Sequence, residues 1–81
     1  MCYVYILWSP SLGRSYVGST ANVQERLRRH NAGHSKSTKA GIPWTLVHQE
    51  EFLTRSEAMT REKYYKTGCG RDELQRRVRL V

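Results

Sequence analysis

The sequence predicts an α+β fold, a small three-stranded antiparallel sheet flanked by helices in the order ββαβαα. Three observations predict it. Two short runs rich in tyrosine and β-branched residues, YVYILW at 3–8 and SYVGS at 15–19, are separated by turn chemistry. Two capping signatures, Asn22 with Glu25 and Thr54 with Glu57, each open a stretch of helical period. A third strand-like run, 44–52, lies between the two helical stretches.

Each element follows from local chemistry. In the first strand the period of two puts Tyr3, Tyr5 and Leu7 on one face and Val4, Ile6 and Trp8 on the other. Ser9-Pro10-Ser11-Leu12-Gly13 is a turn, because Pro lacks the ladder donor and Gly accepts unusual φ. If Leu7 falls opposite Tyr16, then Tyr5 and Tyr16 share a face. Asn22 opens a helix running to about Asn31 and ending at Gly33. The segment GHSKSTKAGIP reads as a polar, basic loop, and Trp44–Phe52 as the third strand. Thr54 opens a helix to about Lys66, stopped by Gly68. The last helix spans about Arg71–Arg79, with Leu74 and Val78 on one stripe and arginines in its last turn, as the macrodipole prefers.

The chain of 81 residues reads as one domain, 1–81, near the small end of chains that fold unaided. No apolar run is long enough for a membrane span and no signal-peptide pattern opens the sequence, so a cytoplasmic protein is expected. Cys2 and Cys69 show no CxxC spacing, and the three histidines complete no recognised zinc interval, so both cysteines read as reduced thiols. The net charge is +7 and uneven. Residues 14–39 hold six basic and one acidic residue, 40–62 two basic and four acidic, and 63–81 six basic and two acidic. Two basic segments around a mildly acidic middle suit a polyanion, most often nucleic acid.

Several residues fit a purely structural role poorly. Ala58, Met59 and Tyr65 form a stripe expected to face the sheet, and Glu62 lies inside it. A carboxylate there is costly unless paired or bound to a cation. An ion pair with Lys66 or Arg61 and a metal-ligand role both remain open. Arg26 and His30, at i and i+4, project from one helix face as either a solvated edge or a phosphate-handling pair. Lys36 and Lys39, with the hydroxyls between them, make either a surface loop or a phosphate-binding one. Trp8 and Trp44 read as core rather than base-stacking residues.

Taken together these residues resemble the GIY-YIG endonuclease family. Tyr3-Val4-Tyr5 matches the first signature element and Tyr16-Val17-Gly18 the second. Arg26 and His30 in ERLRRHNAG match the helix Arg and following His, and Glu62 in RSEAMTREKYYK matches the metal-binding Glu. The resemblance covers nearly the whole chain. It is strongest to small stand-alone bacterial members, similar to the N-terminal domain of an excision-repair nuclease. It implies an endonuclease hydrolysing phosphodiester bonds in DNA with magnesium or manganese, in repair or recombination. It also implies roles: Tyr16 as general base, Tyr5 orienting the water or binding the scissile phosphate, and Glu62 holding the metal. Arg26 would brace developing charge and His30 assist proton transfer or phosphate binding. Ser19, Lys36, Lys39, Lys66 and Arg71 are the expected nucleic-acid contacts. Two other readings compete: a weakly active or inactive nucleic-acid-binding module on the same scaffold, and a protein-interaction domain meeting an acidic partner. Metal-dependent cleavage separates the first reading from both.

Overall fold

The computed structural model describes residues 1–34 and 36–79, without the side chains of residues 37 and 79. Strands β1 (Cys2–Ser9) and β2 (Arg14–Thr20) are followed by helix α1 (Val23–Asn31) and a single helical turn α2 (Lys36–Lys39). Strand β3 (Thr45–Phe52) and helices α3 (Arg55–Tyr64) and α4 (Gly68–Arg79) complete the order. The sheet is antiparallel in the order β2-β1-β3, which leaves β1 central and β2 on an edge. Among the described residues no helix is long and apolar enough to cross a membrane.

The β1–β2 register places Leu7 opposite Tyr16 and Tyr5 opposite Gly18, so Tyr5 and Tyr16 share a face as the alternation requires. The connecting turn closes with the Gly13 amide donating to the Ser9 carbonyl at 2.8 Å, and Gly13 supplies the positive φ of 63°. Central β1 divides the interior in two. Val4 and Ile6 pack under α3 and α4 with Ala58, Tyr65 and Leu74. Tyr5 and Leu7 pack on the opposite face with Val23 and Trp44, flanked by Tyr16, Leu27 and Leu46. Four consecutive buried residues, Val4–Leu7, serve two cores by alternation alone.

Both helix caps form. Asn22 Oδ1 accepts from the Glu25 amide at 3.1 Å, and Thr54 Oγ1 accepts from the Glu57 amide at 3.2 Å. Thr54 Oγ1 also donates to Glu57 Oε1, a side-chain pair that ties the Glu57 carboxylate to its cap, whereas the Glu25 carboxylate turns to Arg28 and Arg29.

The structure departs from the sequence-based expectation at four places. Part of the expected loop GHSKSTKAGIP is the helical turn α2, which gives the buried Thr38 a place against α1. Trp44 precedes β3 instead of opening it, held by Asn31 through bonds to its amide (2.6 Å) and carbonyl (3.1 Å). Met59 is 42% exposed and outside the core stripe, which runs through Ala58 and Tyr65. Finally α4 begins at Gly68, not Arg71. Thr67 Oγ1 accepts from the Gly70 amide at 3.2 Å, and a Cβ at Gly70 would collide with the Tyr64 carbonyl oxygen. Glycine is needed at position 70 because two helices meet there with no room for a side chain.

Candidate active site

Tyr5 is the centre of the site. Its ring is 1% exposed, and its hydroxyl lies 3.1 Å from His30 Nε2. The other ring nitrogen, His30 Nδ1, lies 2.8 Å from Thr38 Oγ1. Thr38, His30 and Tyr5 therefore form one buried polar chain from α2 through α1 to the central strand. In a neutral imidazole one of these two bonds is donated by the ring and the other accepted. Burial, and then the nearby Arg26 charge, push the His30 pKa down, which favours that neutral ring. Thr38 is fixed in turn, since its carbonyl accepts from Trp44 Nε1 at 2.7 Å.

Gly18 explains how the Tyr5 hydroxyl reaches this place. A Cβ on Gly18 would sit 2.5 Å from Tyr5 Oη, 2.7 Å from Tyr5 Cζ and 3.1 Å from Tyr16 Cε1. The Gly of Tyr16-Val17-Gly18 is thus a steric requirement: the phenol tip lies across the bare backbone of β2. Tyr16 stands beside it, its ring 6.2 Å from that of Tyr5, 5.0 Å edge-on to His30 and 6.2 Å from Trp44. Three rings fix the Tyr16 plane while leaving it half-buried rather than sealed.

Three side chains act electrostatically on Tyr5. Burial raises its pKa most and the neighbouring Tyr16 raises it further; the Arg26 cation opposes, and the Glu62 carboxylate adds to the rise. The net shift is strongly upward, so Tyr5 is a neutral hydroxyl at physiological pH. Helix α1 brings Arg26 and His30, and α3 brings Glu62 from beyond the strands. Tyr5, Tyr16 and His30 are thus in direct proximity, with Arg26 and Glu62 near enough for their charges to act on Tyr5.

Glu62 pairs with Lys66 one helical turn on, Nζ to Oε2 3.1 Å, with side-chain exposures of 61% for Lys66 and 23% for Glu62. Of the two partners open to it from the sequence, Lys66 is the one it takes. Arg61 instead ties α3 to Glu50 of β3 at 2.9 Å and to Glu73 of α4, stacked over Tyr64 and Tyr65. A divalent cation fits at Glu62. Its carboxylate is a hard oxygen donor, partly accessible, whose competing ammonium is exposed enough to swing away. Among the described residues no group of three His, Cys, Asp or Glu could cage a metal. A cation here would keep most of its shell as water and phosphate oxygens, as magnesium prefers.

The expected nucleic-acid contacts separate. Ser19 shares a small cleft with Arg26 at the end of β2. Lys66 and Arg71 line a larger open groove with Trp8, Arg14 and Tyr16, between the β1–β2 hairpin and α4. Lys36 and Lys39 are exposed on α2, away from both. Two contributors escape the sequence reading. Thr38 was visible only as one hydroxyl in an aperiodic segment, and no local signal ties it to His30. Arg55 lines the Ser19–Arg26 cleft, yet in the sequence it is one more basic residue in a mildly acidic stretch.

Sheet, helices and side-chain cluster together define a class, a catalytic domain of the GIY-YIG kind. The GIY-YIG catalytic domain model matches residues 1–75, and the chain belongs to that family. It is 44% identical over 73 residues to a UPF0213 protein of Staphylococcus haemolyticus, covering 89% of this chain and 88% of that one. A UPF0213 protein of Halobacterium salinarum is 46% identical over 63 residues, covering 76% and 80%. The solution NMR structure of a UPF0213 protein from Bacillus halodurans is similar with a TM-score of 0.55 at 33% identity, covering 91% of this chain and 82% of that one. Membership of this family makes the chain a nuclease-type domain directed at nucleic acid.

Proposed function

We propose that the chain is a metal-dependent endonuclease that hydrolyses phosphodiester bonds in DNA, acting in the cytoplasm as one domain over residues 1–81. One observation carries this reading: the buried Tyr5 hydroxyl, 3.1 Å from His30 Nε2, is felt electrostatically by Tyr16, Arg26 and Glu62 together. A fold with only packing to do has no use for a neutral phenol, an imidazole, a guanidinium and a carboxylate converging where the edge strand narrows to glycine.

Each residue has a task in the hydrolysis. Tyr16, half-buried and lining the open groove, acts in its phenolate form, its own proton first released to solvent, and takes the proton from the attacking water as that oxygen bonds to phosphorus. Tyr5 stays neutral and orients the water or a phosphate oxygen through its hydroxyl, anchored by His30 and Thr38. Arg26 stabilises the charge that grows on the phosphate as the bond to the leaving oxygen breaks. A magnesium or manganese ion at Glu62 would polarise the phosphate and neutralise the leaving oxygen. The basic groove through Arg14, Lys66 and Arg71 holds neighbouring phosphates by charge.

A nicking assay on plasmid, flap and single-stranded DNA with magnesium or manganese tests the proposal, using the parent and Glu62→Gln. The Glu62–Lys66 pair is a surface pair at i and i+4, worth only ~0.3–0.5 kcal/mol, so the variant should melt almost as the parent does while losing metal-dependent cutting. A variant that cuts like the parent removes Glu62 from the mechanism. A parent that binds DNA and never cuts leaves a binding module.

A further inference from the structure

We propose a phosphate subsite beside the cleavage position, built by Arg55 with Arg26 and Ser19; it rests on the nuclease reading above. The cleft at the end of β2 is lined by these three residues together with Cys2, Thr20 and Ala21. The Thr20 hydroxyl is engaged with the Asn22 backbone and shapes the turn beside the cleft. Two guanidiniums and the Ser19 hydroxyl around one small cleft are complementary to a phosphodiester. Among the described residues neither Arg26 nor Arg55 forms an ion pair, although Arg28, Arg29, Arg61 and Arg77 all do. The arginines left without a carboxylate include both of those that face this cleft.

Arg55 also does nothing evident for its own helix. It is the first residue of α3, where a cation opposes the macrodipole, and the cap is completed by Thr54 and Glu57 without it. Arg26 links the cleft to the site, since its charge reaches both Tyr5 and His30. A strand whose scissile phosphate lies between Tyr16 and Glu62 therefore meets Arg26 first. Its neighbouring phosphate falls to Arg55, which lines the same cleft as Arg26. Recognition is of the phosphodiester backbone and not of the base, so the subsite positions the strand without reading sequence.

Binding decides the matter without relying on turnover. Affinity for a labelled mixed-sequence 12-mer is measured against salt for the parent, Arg55→Ala and Arg55→Lys, with DNA and RNA oligonucleotides as separate arms. Arg55→Ala should weaken binding on the order of tenfold and lower the salt slope by about one, and Arg55→Lys should keep most of that slope. A second readout leaves the subsite intact: in a Cys69→Ser chain Cys2 is the remaining thiol, and the oligonucleotide should slow its labelling by a maleimide. A parent that binds and cuts DNA, with affinity and slope unmoved in Arg55→Ala or Cys2 unprotected, overturns the subsite and spares the nuclease reading. A parent that binds no oligonucleotide overturns both.

Discussion

Replacing Gly18 with alanine tests the central geometric claim. The new Cβ would sit 2.5 Å from Tyr5 Oη and 2.7 Å from Cζ, where non-bonded contacts prefer about 3.5 Å, so something must yield by roughly 1 Å. The Tyr5 ring cannot retreat easily, being 1% exposed among Leu7, Val23 and Trp44 with its hydroxyl held by His30. Overpacking of this kind costs ~1–3 kcal/mol. Gly18 does not have positive φ, so alanine suits the strand backbone and returns ~0.5–1 kcal/mol. The net loss is at most about 2.5 kcal/mol, a drop in Tm of up to roughly 20 °C for a chain of this size. Cleavage should fall further than stability, because a 1 Å displacement of a positioning group can cost ~100-fold in rate. Gly68→Ala is the control, since nothing lies within 4 Å of its Cβ position. Urea melts and the nicking assay on both variants provide the measurement. A Gly18→Ala protein that melts and cuts like the parent would refute the close approach of Tyr5 to β2.

Two further outcomes concern charge. Arg61→Ala removes the guanidinium shared by Glu50 and Glu73, leaving them His48 and Arg77 respectively, and with side chains 20–26% exposed the loss should be ~1–3 kcal/mol at pH 7, less than for a fully buried pair. Burial alone would raise the Glu50 pKa, but hydrogen bonds from Tyr65, Arg61 and His48 outweigh it and the net direction is down. That stabilisation is present above the ordinary carboxylate range and fades as pH falls through the lowered value. The gap between parent and variant in urea melts should therefore narrow below about pH 4.5, and a constant gap refutes the assignment. His30 is held neutral, so the unfolded chain binds its proton first, and parent stability should fall as pH drops below ~6.5. In His30→Gln the slope between pH 8 and 5.5 should flatten, and an unchanged slope would mean that His30 titrates alike in both states.

The sequence carried the parts of this molecule that obey short periods. Alternation in YVYILW placed Tyr5 and Tyr16 on one face, and the Asn22 and Thr54 caps started both helices where the structure has them. It failed where a residue answers to a distant neighbour. Gly68 reads as a helix stop, yet α4 begins there, and Gly70 is glycine because the Tyr64 carbonyl lies where its side chain would be. Met59 has the right spacing for the core stripe and still faces out, since α3 presents Ala58 and Tyr65 to the sheet. Periodicity gives a helix its face to within about a residue, and packing against the other elements chooses among the candidates.

The segment that reads as a polar loop in the sequence holds the site in place. A buried phenol hydroxyl needs a partner, and Tyr5 finds His30; a buried imidazole with one nitrogen so engaged needs a second partner, and His30 finds Thr38. Thr38 can serve because α2 is anchored through its carbonyl to the Trp44 indole, and Trp44 in turn is clasped by Asn31 at the end of α1. The loop of polar and basic residues is therefore the outer end of a chain of obligations that begins at the central strand. Its exposed lysines are free to vary in role, but Thr38 is not. The position of the Tyr5 hydroxyl, and with it the proposed chemistry, depends on a single helical turn that has no periodicity to announce it.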